Sequence, residues 1–286
     1  MRKTARKPVV QGVRDMLCGR IEAARAVLEN PQTVDDEAVH TARKHLKGAR
    51  AGLRLLRNIV GDRRYASANG KLRDAARPLS RVRDATVLIQ TTEELFTEEL
   101  NPGVRRLLAH LQQSLKYEHH ALRGQLHDGS LKPVLATLAR VERDIARWSL
   151  GDIKDGMIED IQRQYRKSRN AMKDARHEQT DDALHEARKQ AKYLANALEV
   201  LGVIGARHVA KPIERAKALG EDLGLDHDLV LIEAKLSNTP QQQRIASATL
   251  AKALQKRRKK LQRKAFRIAT RLHEQKPRAF ATALGI

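Results

Sequence analysis

The stretch Val39-His40-Thr41-Ala42-Arg43-Lys44-His45-Leu46-Lys47-Gly48-Ala49-Arg50 decides how this chain is read. Wound at about 3.6 residues per turn, it places His40, Arg43, Lys44, Lys47, Arg50 and Arg54 along one stripe of a helix. Ala42, Leu46, Ala49, Leu53, Leu56 and Val60 fall on roughly the opposite side, as a face to bury. Taken alone, the cationic stripe reads as a solvated surface, because runs of charge usually are one. A second copy changes its weight. Leu184-His185-Glu186-Ala187-Arg188-Lys189-Gln190-Ala191-Lys192 lies 145 residues further on, with His, Arg, Lys and Lys at the same offsets.

The composition around these stretches is that of a helical, globular chain. Of 286 residues, 41% are hydrophobic and 31% charged, which is too apolar for disorder and ample for a core. Gly (16) and Pro (8) are few and aromatics make up 3%, so helix is favoured over strand. The net charge of +22 opposes compaction by self-repulsion and points to a polyanionic partner. Nucleic acid, an acidic membrane surface and inorganic polyphosphate are the candidates. Cys18 is the only cysteine, so no intrachain disulfide forms and a reducing compartment is expected. No apolar run approaches the ~18–20 residues of a membrane span. The basic opening Met1 to Lys7 leads into a stretch too short for a signal-peptide core, so a cytoplasmic protein is expected.

Apolar periodicity and breakers divide the chain into an all-α array, with no convincing strand. Helices are expected over 12–29, from a cap at Asp35 or Asp36 to about Val60, and from Tyr65 to about Leu100. Pro78 predicts a kink or break near Arg77 in the last of these. Val104–Leu126 and Pro133–Trp148 follow, then 157–177, 181–201, 206–236 and 241–273. The tail Pro277–Ile286 gives no signal. This divides a single domain, 1–286, into a four-helix half over 12–129, a bridging helix and loop over 130–156, and a second four-helix half over 157–273. A second pair of segments supports the duplication. Leu79 to Leu88 aligns with Leu223 to Ile232 at an offset of 144, matching Asp84 with Asp228, Arg83 with His227 and, upstream, Arg73 with Lys217.

The pattern His-x-x-Arg-Lys-x-x-Lys-x-x-Arg at 40–50, followed by Leu-Ser-x-x-Arg-Asp-x-x-Val-Leu at 79–88, resembles the CHAD family, the conserved histidine α-helical domain. The second copy, His185 to Lys192 and then Leu-Gly-x-x-His-Asp-x-x-Leu-Ile at 223–232, resembles the second half of that family. The resemblance spans about residues 12–273. It implies two pseudo-symmetric four-helix bundles and a basic central cleft that binds inorganic polyphosphate without catalysis, in the cytoplasm or at polyphosphate granules. Some members carry a triphosphate-tunnel hydrolase domain with a Glu-x-Glu-x-Lys signature. That signature does not occur in this sequence, which resembles a stand-alone member. The chain departs from the pattern at Ala195 and Asn196, where Arg and an aromatic are usual, at Glu199, which falls on the second stripe, and at Ser80, where Gly is usual. These departures assign more of the anion contact to the first half.

A polymer of phosphates offers charge and no bases, so its binder needs cations about a turn apart along a groove. Arg supplies forked donors to phosphate oxygens, Lys a mobile point charge, and neutral His one N–H. The candidate polyphosphate-binding residues are His40, Arg43, Lys44, Lys47, Arg50, Arg54, Arg73, Arg77 and Arg83 of the first half, with His185, Arg188, Lys189, Lys192, Lys217 and His227 of the second. Among so many cations, His40 and His185 are expected to resist protonation. Asp84 and Asp228 read as partners that hold the cations in place. Arg105, Arg106, Lys116, Arg123 and the run Lys256 to Lys260 read as solvated surface. No metal, cofactor or catalytic residue is expected: the repeated His residues sit beside cations, and no phosphate loop or activated nucleophile appears. His127-Asp128 and His227-Asp228 are weak echoes of a metal-dependent phosphohydrolase. Weak non-specific nucleic-acid binding is expected from charge alone; one Trp, three Phe and four Tyr, none interleaved with the motifs, make a poor stacking platform.

Overall fold

Side-chain caps set several of the helix starts. Asp35 accepts from the Ala38 N–H at 2.8 Å, Asn101 from Val104 at 2.9 Å and Thr180 from Ala183 at 3.2 Å, each satisfying a donor that the first turn leaves open. The structure, a computed structural model, describes residues 9–30, 33–96, 100–126, 129, 131–150, 154–236 and 243–285, and is all-helical over them. The order is α1 (Val9–Leu28), α2 (Asp36–Leu55), α3 (Arg57–Val60), α4 (Asp62–Phe96), α5 (Pro102–Gln125), α6 (Leu131–Ala146), α7 (Lys154–Glu178), α8 (Asp181–Val203), α9 (Ala210–Leu236), α10 (Arg244–Leu272) and α11 (Pro277–Ala283). No helix among the described residues is long and apolar enough to cross a membrane.

Two features of the first half differ from expectation because of tertiary contacts. The helix expected to run to Val60 breaks at Leu56, because Asp160 of α7 captures the Asn58 N–H at 2.8 Å. Arg163 and Glu159 also bond the Asn58 side chain, at 2.6 and 2.8 Å, so this break latches the first half onto the second. Helix α4 instead runs unbroken through Pro78. Buried Leu72, Ala75, Leu79 and Val82 seat both sides of the proline in one core, which outweighs the single hydrogen bond it removes.

The apolar core does not divide at the midpoint of the chain. Its larger part joins α1, α2, α6, α7 and α8 to the N-terminal portions of α4 and α9 and the C-terminal end of α10. A smaller cluster gathers Leu88 and Leu95 of α4, Leu108 and Leu115 of α5, Leu229 and Ile232 of α9, and Leu250 and Leu254 of α10. Each cluster thus draws on both halves. Helix α2 packs against α8 and α4 meets α9, so the two copies of each repeated motif come together. This is compatible with an internal duplication. The segment read as a bridge, α6, packs its buried Leu131, Val134, Leu138, Val141 and Ile145 towards α1 and α4.

The tail that gives no sequence signal closes the core. Phe280 of α11 stacks on Tyr165 with ring centroids 3.9 Å apart, and both are buried. The Tyr165 hydroxyl lies 3.1 Å from the Leu272 carbonyl and 3.0 Å from that of Gln275, one proton serving the pair. The Leu284 carbonyl accepts from Arg207 and His208 at 3.1 and 3.3 Å, which fixes the turn before α9. Phe280→Ala is therefore expected to lower the unfolding free energy by about 3–5 kcal/mol, as other buried Phe truncations do. Urea unfolding followed by circular dichroism measures this, and a loss below about 1 kcal/mol would make α11 a surface appendage.

Candidate functional site

Where α2 meets α8, and α4 meets α9 beside them, the helices leave a cavity of about 500 Å³. Its walls are assembled from matched positions. His40, Arg43 and Lys47 of α2 face His185, Arg188 and Lys192 of α8, while Arg83, Asp84 and Val87 of α4 correspond to His227, Asp228 and Leu231 of α9. Lys44 and Asn196 line it without a matched neighbour. Six Arg and Lys side chains against two carboxylates leave a net formal charge of +4 before any histidine is counted.

Crowding sets the state of these groups. The Lys47 and Lys192 ammonium groups are both pushed down to about 8, first by loss of solvation and then by neighbouring arginines, Arg43 for Lys47 and Arg188 for Lys192. Lys47 lies deep between protein walls, although its side chain still faces water within the cavity. Arg43 and Arg188 each lean on a carboxylate, Asp84 at 3.4 Å and Asp228 at 3.9 Å. Even so, Arg43 Nη1 and Arg188 Nε are buried with no hydrogen-bond partner among the described residues, a shortage of acceptors at two matched positions. His40 and His185 are held below the usual imidazole range, and burial is the larger cause, ahead of Arg83 and Arg188 respectively. His227 is pushed down to about 4 by burial and then Arg188, with its Nδ1 3.4 Å from that of His185. At neutral pH all three rings are uncharged single N–H donors.

A glycine admits one of these lysines. A Cβ at Gly220 of α9 would stand 3.1 Å from Lys192 Cγ, a tight contact, so the bare backbone gives the lysine stem room against that helix.

Nine of the fifteen expected residues line the cavity: His40, Arg43, Lys44, Lys47, Arg83, His185, Arg188, Lys192 and His227. Arg50 and Arg54 do not. The stretch from His40 to Lys47 spans ~10 Å at about 1.5 Å per residue, and the stripe then leaves this cavity for another of about 170 Å³. There Arg50 bonds Asn69 at 3.0 Å and Arg54 lies over the Tyr193 ring at 3.7 Å. Arg73 and Arg77 stay on the exposed face of α4, both paired with Asp74. Lys189 pairs with Glu186 on its own helix, and Lys217 with Glu199 at 2.6 Å. Arg50, Arg54, Arg73, Arg77, Lys189 and Lys217 thus lie outside this cavity, because periodicity fixes a face but not where a neighbouring helix ends the groove.

The first half does supply more charge, four of the six Arg and Lys side chains. The reason is not Ala195, whose matched Arg50 is also outside the cleft. It is that Lys189 is held by Glu186 and that His227 stands where the first half has Arg83. Asn196, read as a lost contact, does line the cavity; the spacing Arg188, Lys192, Asn196 places it there.

Several polar and cationic side chains outside the cleft have structural work. Arg258 joins Asp226 at 3.1 Å, Glu233 at 3.4 Å and also Asp181, tying α10 to α8 and α9. His119 bonds Asp36 at 3.0 Å, holding α5 to the first turn of α2. Arg123 reaches the Val34 carbonyl at 3.2 Å. Among the described residues, no group of three or more His, Cys, Asp or Glu is placed to hold a metal ion. His127-Asp128 lies outside the described residues.

Comparison with known proteins bears on the fold. The CHAD domain family model matches residues 20–237. The crystal structure of the CHAD domain from the plant Ricinus communis is similar, with a TM-score of 0.62 at 20% identity over 99% of this chain and 94% of that one. No curated protein matches the chain in sequence.

The lysines give a test of the crowding itself. Their folded-state values lie below those of the unfolded chain, so the folded protein binds fewer protons between about pH 8 and pH 10.5, and stability rises with pH across that window. The charged lysines therefore count against folding at pH 7. Lys192→Met, which keeps the stem and removes the charge, is expected to raise the urea midpoint at pH 7 and to raise it far less above pH 10.5. A lowered midpoint at pH 7 would contradict this.

Proposed function

This chain belongs to the CHAD domain family, and on that premise we propose that it binds inorganic polyphosphate in the cleft between α2 and α8. The family is associated with polyphosphate binding in general. The observation that carries the proposal here is the pairing of buried, acceptor-starved Arg43 Nη1 and Arg188 Nε in a cavity of net positive charge. Phosphate oxygens are the acceptors such guanidinium groups take best, in forked pairs. Lys44, Lys47, Lys192 and Arg83 extend the contact along the groove, and the neutral His40, His185 and His227 donate N–H bonds to oxygens without needing a further proton.

The protein acts as a binder and not as a hydrolase. CHAD relatives are generally non-catalytic binding domains. The two carboxylates in the cleft, Asp84 and Asp228, lie beside Arg43 and Arg188, where they steady cations. Polyphosphate is favoured over nucleic acid because no Trp, Tyr or Phe lines the cleft to stack a base. Weak non-specific nucleic-acid binding follows from the net charge of +22. A protein working this way would be found with its polymer in the cytoplasm, including on polyphosphate granules.

Two measurements test the proposal. At about 150 mM salt, polyphosphate should displace DNA and RNA at equal phosphate concentration, and Lys47→Glu combined with Lys192→Glu should abolish binding while the helical circular dichroism persists. Unchanged affinity in that variant would overturn the placement. The second is pH. An anion in the cleft favours the charged lysines, so binding at pH 8 should take up protons, seen calorimetrically as a dependence on buffer ionisation enthalpy. Affinity should fall as pH rises through about 8, well below the ~10.4 of an ordinary lysine.

A further inference from the structure

A second cavity of about 470 Å³ opens between the N-terminal turns of α4 and the C-terminal end of α6, sharing no residue with the cleft. Its chemistry differs. The floor is apolar, from buried Val141 and Ala68, and one wall is Trp148, the single tryptophan of the chain. The backbone holds that wall in place: the Trp148 N–H donates to the Ile145 carbonyl at 3.0 Å, and its own carbonyl accepts from Arg14 at 3.2 Å.

Arg63, Arg64 and Arg147 converge on the rim. Many other arginines on this surface are neutralised close by, as Arg73 and Arg77 are by Asp74 and Arg57 by Asp62. Arg63, Arg64 and Arg147 form no ion pair or side-chain hydrogen bond among the described residues. The single carboxylate, Asp144, sits 3.5 Å from Lys71 and remains half exposed, able to accept from a further N–H donor.

A phosphate polymer has no use for an indole wall or an apolar floor. A flat ring carrying phosphates uses all of these features, and the volume lies in the ~300–1,000 Å³ range of small-molecule sites. We propose that this cavity is a nucleotide site: the base lies against Trp148 and Val141, its amino group faces Asp144, and its phosphates engage Arg63, Arg64 and Arg147. The chain then carries two anion sites of different selectivity, one for phosphate alone and one for phosphate attached to a ring.

Trp148 is its own reporter. The full-length protein is titrated with ATP and separately with inorganic tripolyphosphate, exciting the red edge of the indole band where ATP does not absorb, with calorimetry in parallel. ATP is expected to give a saturable change in emission, and tripolyphosphate none. Arg63→Glu with Arg64→Glu should weaken ATP at least tenfold and leave polyphosphate affinity in the cleft within twofold. Trp148→Leu should weaken ATP in the calorimeter, and Trp148→Phe should retain most of the affinity. Lys47→Glu with Lys192→Glu should leave the ATP response intact, which separates this site from the polyphosphate reading. No saturable ATP response at millimolar concentration, an equal response to tripolyphosphate, or loss of the response in the lysine variant would each overturn the proposal.

Discussion

Like charges held together across the junction of α2 and α8 are the constraint on which the rest of this structure depends. Arg43, Lys47, Arg188 and Lys192 face one cavity, where burial and then like-charged neighbours push Arg43, Lys47 and Lys192 below their ordinary basicity. At an effective dielectric of about 20, unit charges a few ångströms apart repel by a few kcal/mol. Two helices so decorated would separate if they met only there. They stay together because each also presents an apolar face, Leu46 and Leu53 on α2 and Leu194 and Leu198 on α8, buried in a core that runs through both halves. Each such leucine stabilises the fold by about 1.5–3 kcal/mol on burial.

The other parts of the fold follow from keeping that junction in register. Asp84 and Asp228 relieve part of the repulsion from the flanking helices without filling the cavity. Asp160, reaching across to the broken backbone at Asn58, holds the first half to the second. Burial raises its carboxyl to about 6, so the latch is itself slightly costly when ionised. Arg258, surrounded by Asp181, Asp226 and Glu233, fixes α10 against α8 and α9. The cations of the cleft are under-compensated, whereas Arg258 is over-compensated.

Much of this was legible in advance. Apolar periodicity marks the principal helices, and the repeat at His40 and His185 marks residues that line one cavity, because side chains one turn apart must share a face whatever the rest of the chain does. The stripe says less about extent. Nothing in its periodicity shows that Arg50 and Arg54 line a different cavity from the residues before them. Pro78 reads as a kink or break because its lost hydrogen bond is local, while the core that keeps α4 continuous is not. The tail looked empty because Phe280 and Leu284 are too few to show a period, yet Phe280 finds Tyr165 more than a hundred residues away in sequence.

By itself, the sequence determined an all-helical chain, an internal repetition of His, Arg and Lys, and a net charge of +22. These are properties of spacing and composition, which survive without knowledge of neighbours. Only the tertiary structure decided which cations share a space, which are already paired, and which of the lysines lose their usual hold on a proton. Those depend on distance and on access to water, and both are set where helices far apart in the chain pack together.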